Sequence, residues 1–346
     1  MGIHFKVAHG KSDIYIERNI RKKILKYANL DRRVLVLCDD GIPYEYVETI
    51  RKQCGIPFVK IIPHGEKSKS LDMVEQLCAF LYGAGFDKND LIFAVGGGVI
   101  GDLAGFIASI YLGGIEVISL PTTTLSQIDS SIGGKTAVNF KGTKNLVGSF
   151  YQPSKVFIDL NTLSTLTRRQ YYSGIIEALK AGMIRDPDLY SLFVKNKVDF
   201  LEEVPPEDLE EVIERALYVK RDVVEEDEKE LGIRKILNFG HTIGHAIEGL
   251  YMGKYYHGEC VGLGMLMVLE NKELRNQLRE ILKKMDMPVQ VECSVEELMP
   301  YLVKDKKFDG KMMSLVQVDE IGKGYIKEVD INWIENHIRN YLEEQV

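Results

Sequence analysis

The sequence predicts a parallel α/β domain followed by a mainly helical domain. Three observations support this fold class: short apolar runs alternate with helical stretches early in the chain, one run ends in a glycine-rich turn, and helix formers dominate after about Thr165. Such alternation is typical of βαβ units around a mostly parallel sheet. We expect a Rossmann-like, nucleotide-type α/β domain at 1–165, a mainly helical domain at 166–346, and a ligand site in the cleft between them.

The strands and helices follow from local patterns. The opening MGIHFKVAHGKSDIYIE has no apolar signal-peptide core and predicts a pair of strands. Helical spacing over Leu71–Gly83 separates two strands, and VPPEDLEE (204–211) has prolines at a helix start. The first predicted strand of the parallel sheet lies in RRVLVLCDD and ends at Asp39. The others are FVKIIP (58–63), DLIFAVGGG, IEVISLP (115–121) and KVFIDL (155–160).

Composition and charge narrow the functional classes. The chain has 346 residues, of which 45% are apolar, and no stretch approaches the roughly 20 apolar residues of a membrane span. Its net charge of −7 argues against a nucleic-acid partner, although local lysines can still bind small anions. The five cysteines form no CxxC motif, so we expect reduced thiols and a cytoplasmic protein.

Histidines cluster in the second half. Three of the seven lie within His241–His257, and the four-residue spacing of His241 and His245 places both rings on one helix face, which suits a divalent metal. The spacing leaves two other interpretations open: partly buried, hydrogen-bonded histidines, or a zinc protease. The protease motif H-E-x-x-H is disfavoured because Thr242 stands where its general-base glutamate would be.

Glycines follow the strand DLIFAV. Gly96, Gly98 and Gly101 fit G-x-G-x-x-G, which lets a backbone approach a pyrophosphate at a helix N-terminus. The alternative is an ordinary tight turn between strand and helix. Because this βα unit is not the first of the chain, the pattern predicts a variant dinucleotide site rather than the common one.

A segment rich in small and hydroxyl residues spans Pro121–Pro153. Its isolated lysines, Lys135, Lys141 and Lys144, stand among Ser, Thr and Gly, which suits the binding of phosphate or carboxylate. The alternative is a structured loop with surface lysines.

Several long blocks resemble the 3-dehydroquinate synthase family over roughly residues 35–325. They are, in family order, GGGVIGDLAGF, PTTTLSQIDSSIGGKTAVN, KNLVGSFYQP, SGIIEALKAG, KRDVVEEDEKELGIRKILNFGHTIGHAIEG, YYHGECVGLGM and KDKKFDGK. The resemblance implies a homodimer that converts 3-deoxy-D-arabino-heptulosonate 7-phosphate to 3-dehydroquinate and phosphate, with bound NAD and a divalent metal, zinc or cobalt. It also implies transient oxidation at C5, elimination of phosphate, re-reduction, ring opening and intramolecular aldol closure.

The resemblance implies that the domain at 1–165 binds NAD, that the domain at 166–346 binds metal and substrate, and that the active site lies in the cleft between them. It also assigns site residues by position. It implies that Glu177, His241 and His257 bind the metal, and that His245 contacts substrate instead. Implied catalytic residues are Asp129, Lys135, Lys180 and His245. Implied substrate-binding residues are Lys144, Asn145, Lys220, Arg234, Asn238, Lys306 and Lys307. Implied NAD-binding residues are Asp39, Glu66, Lys69, Gly97, Gly98, Val99, Asp102, Thr122, Thr123, Lys135, Lys144 and Thr162.

Two positions depart from the family pattern. Gly113 occupies the place of an arginine that, in the family, reaches across a dimer interface to the substrate phosphate. Loss of such a charge-assisted contact costs about 1.5–3 kcal/mol if nothing replaces it. Gln170 replaces a usual glutamate.

Three other functions compete. A related sugar-phosphate cyclase, such as 2-deoxy-scyllo-inosose synthase, would break the stretch DSSIGGKTAVN, which is intact here. A metal-dependent NAD polyol dehydrogenase has mostly neutral substrates and no need for the many lysines together with Arg234. A metal- and nucleotide-binding regulatory protein would not require the full set of catalytic residues.

Overall fold

The computed structural model describes residues 2–7, 10–199, 208–303 and 312–344. The chain divides into two compact units, the first ending at Leu166 and the second beginning at Thr167. The first is an α/β unit and the second is mainly helical, so the predicted fold class is confirmed. Within the described ranges, no helix is both long and apolar enough to cross a membrane.

The first unit contains a seven-stranded sheet in the order β1-β2-β9-β6-β5-β3-β4. Strands β1 and β2 pair antiparallel, and the remaining pairs in this sheet are parallel. A separate antiparallel hairpin joins β7 to β8. The strands are β1 (Gly2–Val7), β2 (Gly10–Ile16), β3 (Arg33–Asp39), β4 (Ile56–Ile62), β5 (Leu91–Gly96), β6 (Glu116–Pro121), β7 (Lys135–Phe140), β8 (Thr143–Phe150) and β9 (Lys155–Ile158), and the helices are α1 (Tyr44–Arg51), α2 (Leu71–Gly83) and α3 (Gly98–Ile110).

Apolar residues on both faces of the parallel strands form the core of this unit. In β3, Leu35 and Leu37 belong to a cluster with residues of α2 and α3, whereas Val34 and Val36 belong to a second cluster with residues of α1. Successive side chains of a strand point to opposite faces, so a strand covered on both sides has a continuous apolar run. This explains why β3 and β5 were recognisable from sequence.

Strand order fixes where a ligand site is expected in the first unit. Strand β3 lies between β4 and β5, so the chain crosses over β3 on its way from β4 to β5. Ligands of open α/β sheets bind beyond the carboxyl ends of strands at such a switch point. Asp39 ends β3 and Gly96 ends β5, so both lie at that edge.

The Pro121–Pro153 segment has more regular structure than the sequence predicted. It contains a π-helix at Ser126–Ser130 and the β7–β8 hairpin. Lys141 and Gly142 form the tip of the hairpin with φ of 47° and 79°, which matches the turn geometry that favours two-residue hairpins. Most of β8 is exposed, so it lacks the buried alternation that reveals a strand in sequence.

The second unit packs helices around a buried central helix, α4 (Arg168–Ile184). Every residue of α4 from Tyr171 to Ile184 is buried. An antiparallel hairpin of β10 (Met312–Val318) and β11 (Gly324–Asp330) was not predicted. The start of VPPEDLEE lies outside the described residues. The other helices are α5 (Pro187–Val194), α6 (Leu209–Glu226), α7 (His241–Tyr251), α8 (His257–Val268), α9 (Lys272–Lys284), α10 (Val295–Val303) and α11 (Ile331–Glu343), with a 3-10 helix at Ile233–Asn238.

Candidate metal and nucleotide sites

Three helices of the second unit bring the predicted metal ligands together. Glu177 lies on α4, while His241 and His257 are the first residues of α7 and α8. The Nε2 atoms of His241 and His257 lie 3.7 and 3.6 Å from Oε1 of Glu177. Two donors bound about 2.1 Å from one tetrahedral zinc are about 3.4 Å apart. The three side chains are therefore spaced as ligands of one ion.

Close helix packing places the two histidines. Gly240 caps α7 with φ of 75°, and a Cβ there would lie 2.7 Å from the carbonyl oxygen of Val261 on α8. A Cβ on Gly264 would lie 2.0 Å from the carbonyl oxygen of Gly240. Only glycine allows such an approach of two backbones. The glycines of NFGHTIG and VGLGM thus bring α7 against α8.

Glu177 has the environment of a metal ligand. It is 2% exposed, and no group in the described part of the chain hydrogen-bonds its Oε1. Its Oε2 accepts a hydrogen bond from Lys180. Burial alone would raise the pKa of Glu177, but the charges of Lys180 and His257 outweigh it and lower the pKa to about 2. An ionised, buried oxygen without a hydrogen bond is costly, and a cation between it and the imidazoles would satisfy it.

The second nitrogens of both imidazoles also have partners. Nδ1 of His241 lies 3.1 Å from the carbonyl oxygen of Phe239, and Nδ1 of His257 lies 3.2 Å from Oε2 of Glu248. Burial lowers the pKa of His257, whereas the adjacent carboxylates of Glu177 and Glu248 outweigh it and raise the pKa to about 10. Such contacts fix ring orientation in metal sites and direct the other nitrogen toward the ion. Sequence reasoning missed Glu248. The signal that could have found it is a carboxylate seven residues after His241 in the same helix.

His245 lies beside this group. Its ring centroid is 5.4 Å from that of His241 and 5.8 Å from that of His257. The expectation from spacing, that His241 and His245 share a helix face, agrees with this proximity. His245, Glu248 and His257 also have donor atoms within 4.8 Å of one another. The choice of Glu177, His241 and His257 as the ligand set therefore stays a prediction.

Buried cations accompany the histidines in the second unit. Lys180, Lys220 and Arg234 are 3%, 8% and 3% exposed. They lie on α4, α6 and the 3-10 helix Ile233–Asn238, which pack against one another. Lys180 pairs with Glu177 and Arg234 donates to the carbonyl of Glu228, and three cations gathered in this way would suit an anionic ligand. Asn238, at the end of the same 3-10 helix, donates to Glu230, a second carboxylate that sequence reasoning did not single out.

In the first unit, the glycine turn packs against the loop that follows β6. A Cβ on Gly97 would lie 3.1 Å from Cγ2 of Thr123, while one on Gly101 would have no atom within 4 Å. The backbone N–H of Thr122 donates to the carbonyl of Gly96 at 3.0 Å. Oγ1 of Thr122 is buried and accepts or donates no hydrogen bond within the described ranges. This turn opens α3, where Gly98 and Val99 are the first two residues.

Charged side chains surround the same edge of the sheet. Lys69 is buried, and its ammonium forms an ion pair with Asp102 and lies 3.8 Å from Glu66. Burial raises the pKa of Asp102, although Lys69 opposes this shift. Burial also raises the pKa of Asp39, whose Oδ1 accepts from the N–H of Gly41 at 2.9 Å. These side chains could bind the hydroxyls of a nucleotide.

The remaining predicted residues have different environments. Thr162 is fully buried and donates to the carbonyl of Asp159 at 2.8 Å, so it anchors the loop after β9. Asp129 is half-buried in the π-helix, whereas three residues on the hairpin are exposed. The exposed ones are Lys135, Lys144 and Asn145. Lys306 and Lys307 lie outside the described residues.

Comparisons with known proteins converge on one family. The family models described as 3-dehydroquinate synthase N-terminal and C-terminal match residues 59–173 and 174–308. A 3-dehydroquinate synthase from Dictyoglomus turgidum is 42% identical over 92% of both chains. A crystal structure of 2-deoxy-scyllo-inosose synthase with carbaglucose-6-phosphate, NAD+ and Co2+ is 26% identical, with a TM-score of 0.88 over 98% of this chain and 100% of that one.

A second solved structure shares the fold at lower identity. It is 2-epi-5-epi-valiolone synthase from Streptomyces hygroscopicus with NAD+ and Zn2+ bound, 23% identical over 97% of both chains with a TM-score of 0.87. At this identity the likeness concerns the fold alone.

Proposed function

The chain belongs to the 3-dehydroquinate synthase family, and from this premise we propose that it converts 3-deoxy-D-arabino-heptulosonate 7-phosphate to 3-dehydroquinate and phosphate. This makes it a carbon–oxygen lyase that depends on NAD and a divalent metal. The observation that carries the metal dependence is Oε1 of Glu177, which is buried, accepts no hydrogen bond from the residues that the structure describes, and faces Nε2 of His241 and His257. An ion at this point would balance the carboxylate and leave coordination positions for substrate oxygens.

Each group of residues has a proposed part in the reaction. NAD supplies reversible hydride transfer and the metal supplies Lewis acidity toward a substrate hydroxyl. Lys180, Lys220 and Arg234 bind the anionic groups of the substrate through charge-assisted hydrogen bonds. His245, which is exposed beside the proposed ligands, contacts substrate.

We assign NAD to the first unit. Three features support this assignment: the switch point between β3 and β5, the glycine turn, and the hydroxyl of Thr122, which has no hydrogen-bond partner among the described residues. Asp129, Lys135, Lys144 and Asn145 are assigned to substrate from the resemblance and from their place in the segment that follows β6.

The metal identity, assembly and location are proposals as well. Zinc is the first candidate and cobalt the second, because two imidazoles and one carboxylate suit both ions. The five cysteines are unpaired, which agrees with a reducing cytoplasm. The homodimer is carried over from the family.

The test is release of phosphate by the purified chain. We expect release from 3-deoxy-D-arabino-heptulosonate 7-phosphate with NAD, loss of release with a chelator, and no net NADH. Absence of release, or accumulation of NADH with glycerol, would contradict the proposal and favour a polyol dehydrogenase. Release from glucose 6-phosphate instead would indicate a related cyclase, of the kind that binds carbaglucose-6-phosphate.

A pair of histidine variants locates the metal. His241→Ala should abolish chelator-sensitive release and lower bound metal to below a tenth of the wild-type content, because it removes one of three ligands. His4→Ala is the matched control, since His4 is exposed in the first unit and its ring bonds the carboxylate of Asp13. Equal metal content in both variants would reject His241 as a ligand.

A further inference from the structure

One side of α4 meets the first turn of α8 residue by residue. Arg169, Ser173 and Glu177 are four apart and therefore lie on one side of α4. They face Glu259, Gly258 and His257 in reverse order. The two helices therefore contact each other through three successive pairs of residues, here called steps. The last step is the pair of proposed metal ligands, Glu177 and His257.

The outermost step is a two-point ion pair. Nε and Nη2 of Arg169 donate to the two carboxylate oxygens of Glu259 at 2.6 and 2.7 Å, and Glu259 is 3% exposed. Nη2 of Arg169 also donates to the carbonyl of Lys254 at 2.7 Å, and Glu259 accepts from the N–H of Tyr256 at 2.8 Å. Bidentate pairs fix geometry as well as charge. Arg169 therefore holds both the loop before α8 and its first turn.

The middle step sets how closely the helices approach. The N–H of Gly258 donates to Oγ of Ser173 at 3.1 Å. A Cβ on Gly258 would lie 1.7 Å from the carbonyl oxygen of Ser173, so no other residue could keep this approach. Any shift of α8 along α4 would break this hydrogen bond and move the neighbouring His257.

We propose that the Arg169–Glu259 pair, with the Ser173–Gly258 contact, is a positioning device for the metal centre: it sets the register of α8 on α4 and so holds Nε2 of His257 at ligand distance from Oε1 of Glu177. The inference rests on the proposed metal site and adds to it a group of residues that do not touch the ion. A register error of one residue would move His257 by about 1.5 Å along the helix axis, enough to spoil coordination.

The test compares two adjacent arginines in the full chain. Arg169→Met removes the pair, whereas Arg168→Met is the matched control, because Arg168 pairs with Asp286 and stacks on Tyr172 instead of pairing with Glu259. Affinity for Co2+ would be measured by competition with a chromogenic chelator, together with the visible absorption of the bound Co2+. We expect Arg169→Met to weaken Co2+ binding 10–100-fold and alter the absorption, and Arg168→Met to stay within twofold of wild type.

Two further variants separate positioning from general stability. Arg169→Lys should recover only part of the affinity, because an ammonium cannot make the bidentate contact. Arg169→Met with Glu259→Gln should bind Co2+ within threefold of Arg169→Met alone, because the two side chains act as one unit. Wild-type affinity and absorption in Arg169→Met would overturn the inference and leave the metal site standing. Failure of the wild type to bind Co2+ in a His241-dependent manner would overturn the site and the inference together.

Discussion

Glu177 combines two charge interactions at one buried residue. One carboxylate oxygen accepts from Lys180, and the other faces the two histidines and has no hydrogen bond within the described part of the chain. The residue is thus both half of a buried ion pair and a proposed ligand. Its contribution to stability can be measured apart from its role in metal binding.

We expect Glu177→Gln to destabilise the metal-free protein by about 3–5 kcal/mol, because it leaves the buried ammonium of Lys180 without its carboxylate. Urea denaturation with chelator measures this, and adding Lys180→Met should recover part of the loss. The matched control is Glu280→Gln, which breaks an exposed pair of the same spacing with Lys283 and should leave the midpoint unchanged. Similar midpoints for both single variants would contradict the buried pair.

His337 makes stability depend on pH away from the metal site. Burial lowers its pKa, although its Nε2 lies 2.9 Å from the carbonyl oxygen of Met267, an acceptor that opposes the shift. The unfolded chain then binds a proton near pH 6.5 that the folded chain does not. Its contribution is therefore complete above that pH and is lost as the pH falls.

We expect the free energy of unfolding of the wild type to fall more between pH 7.5 and 5.5 than that of His337→Gln, whose amide can still donate to Met267. The measurement is urea denaturation of both proteins with chelator at each pH. The difference between the two curves isolates His337 from other titrating groups, such as the nearby Glu270 and the cation Arg275. Parallel losses would show that His337 has the same pKa in both states.

At the scale of the element, α4 begins with a capping box. Oγ1 of Thr167 accepts from the N–H of Gln170 at 3.3 Å, and Oε1 of Gln170 accepts from the N–H of Thr167 at 3.0 Å. Glutamine and glutamate both serve at this position of the motif. The departure from the usual glutamate therefore keeps the cap of the helix that carries Glu177 and Lys180.

Thr167→Ala should destabilise the protein by about 1 kcal/mol, since it leaves an N-terminal N–H of α4 without its acceptor. Gln170→Glu should leave stability unchanged or raise it slightly, because a carboxylate near a helix N-terminus is favourable. Chemical denaturation measures both. Thr49→Ala is the control, as the hydroxyl of Thr49 bonds the carbonyl of Glu45 within α1 and caps no helix end. A loss as large in Thr49→Ala as in Thr167→Ala would argue against the cap.

Sequence reasoning found elements whose burial leaves a strong pattern. The helix α2 was predicted at its observed bounds, and β3 ended at Asp39 as expected. The hairpins β7–β8 and β10–β11 were missed. Strand β8 is largely exposed, so its pairing rests on backbone hydrogen bonds and on the turn at Lys141 and Gly142 rather than on apolar alternation.

The candidate site was predicted less completely. Spacing alone favoured His241 with His245, and only the family resemblance pointed to Glu177, because that glutamate lies 64 positions before His241 in a separate helix. Side chains brought together by packing of distant helices leave no periodic signal. The pair of Arg169 with Glu259 was missed for the same reason.

At the scale of the whole molecule, the net negative charge of the protein disfavours binding of the anionic substrate that we propose. The net charge is −7, so the protein as a whole does not attract a substrate with phosphate and carboxylate groups. The proposed function therefore assigns binding of the anionic groups to local, buried cations such as Lys180, Lys220 and Arg234. By resemblance to the family, Gly113 stands where an arginine would reach the substrate phosphate across a dimer interface. Adding a cation at this position therefore tests both the phosphate contact and the dimer.

Gly113→Arg should restore a phosphate contact if the chain assembles as its family does. The residue has φ of 77°, and a Cβ there would meet no atom within 4 Å, so a side chain fits. The left-handed backbone costs a non-glycine residue about 1–2 kcal/mol of stability. A regained charge-assisted contact of about 1.5–3 kcal/mol corresponds to a KM lowered by roughly 10-fold or more. The measurement is the KM for 3-deoxy-D-arabino-heptulosonate 7-phosphate in the phosphate-release assay.

Gly85→Arg is the matched control for this prediction. Gly85 has φ of 70° and equally open space, and it follows α2 rather than the turn after α3. Both variants add one positive charge and the same backbone cost, so only a specific contact can separate them. A lower KM in Gly113→Arg alone would show that the phosphate lies within reach of position 113. Equal KM values would contradict the prediction, because a guanidinium at position 113 would then make no phosphate contact that the same charge at position 85 does not make.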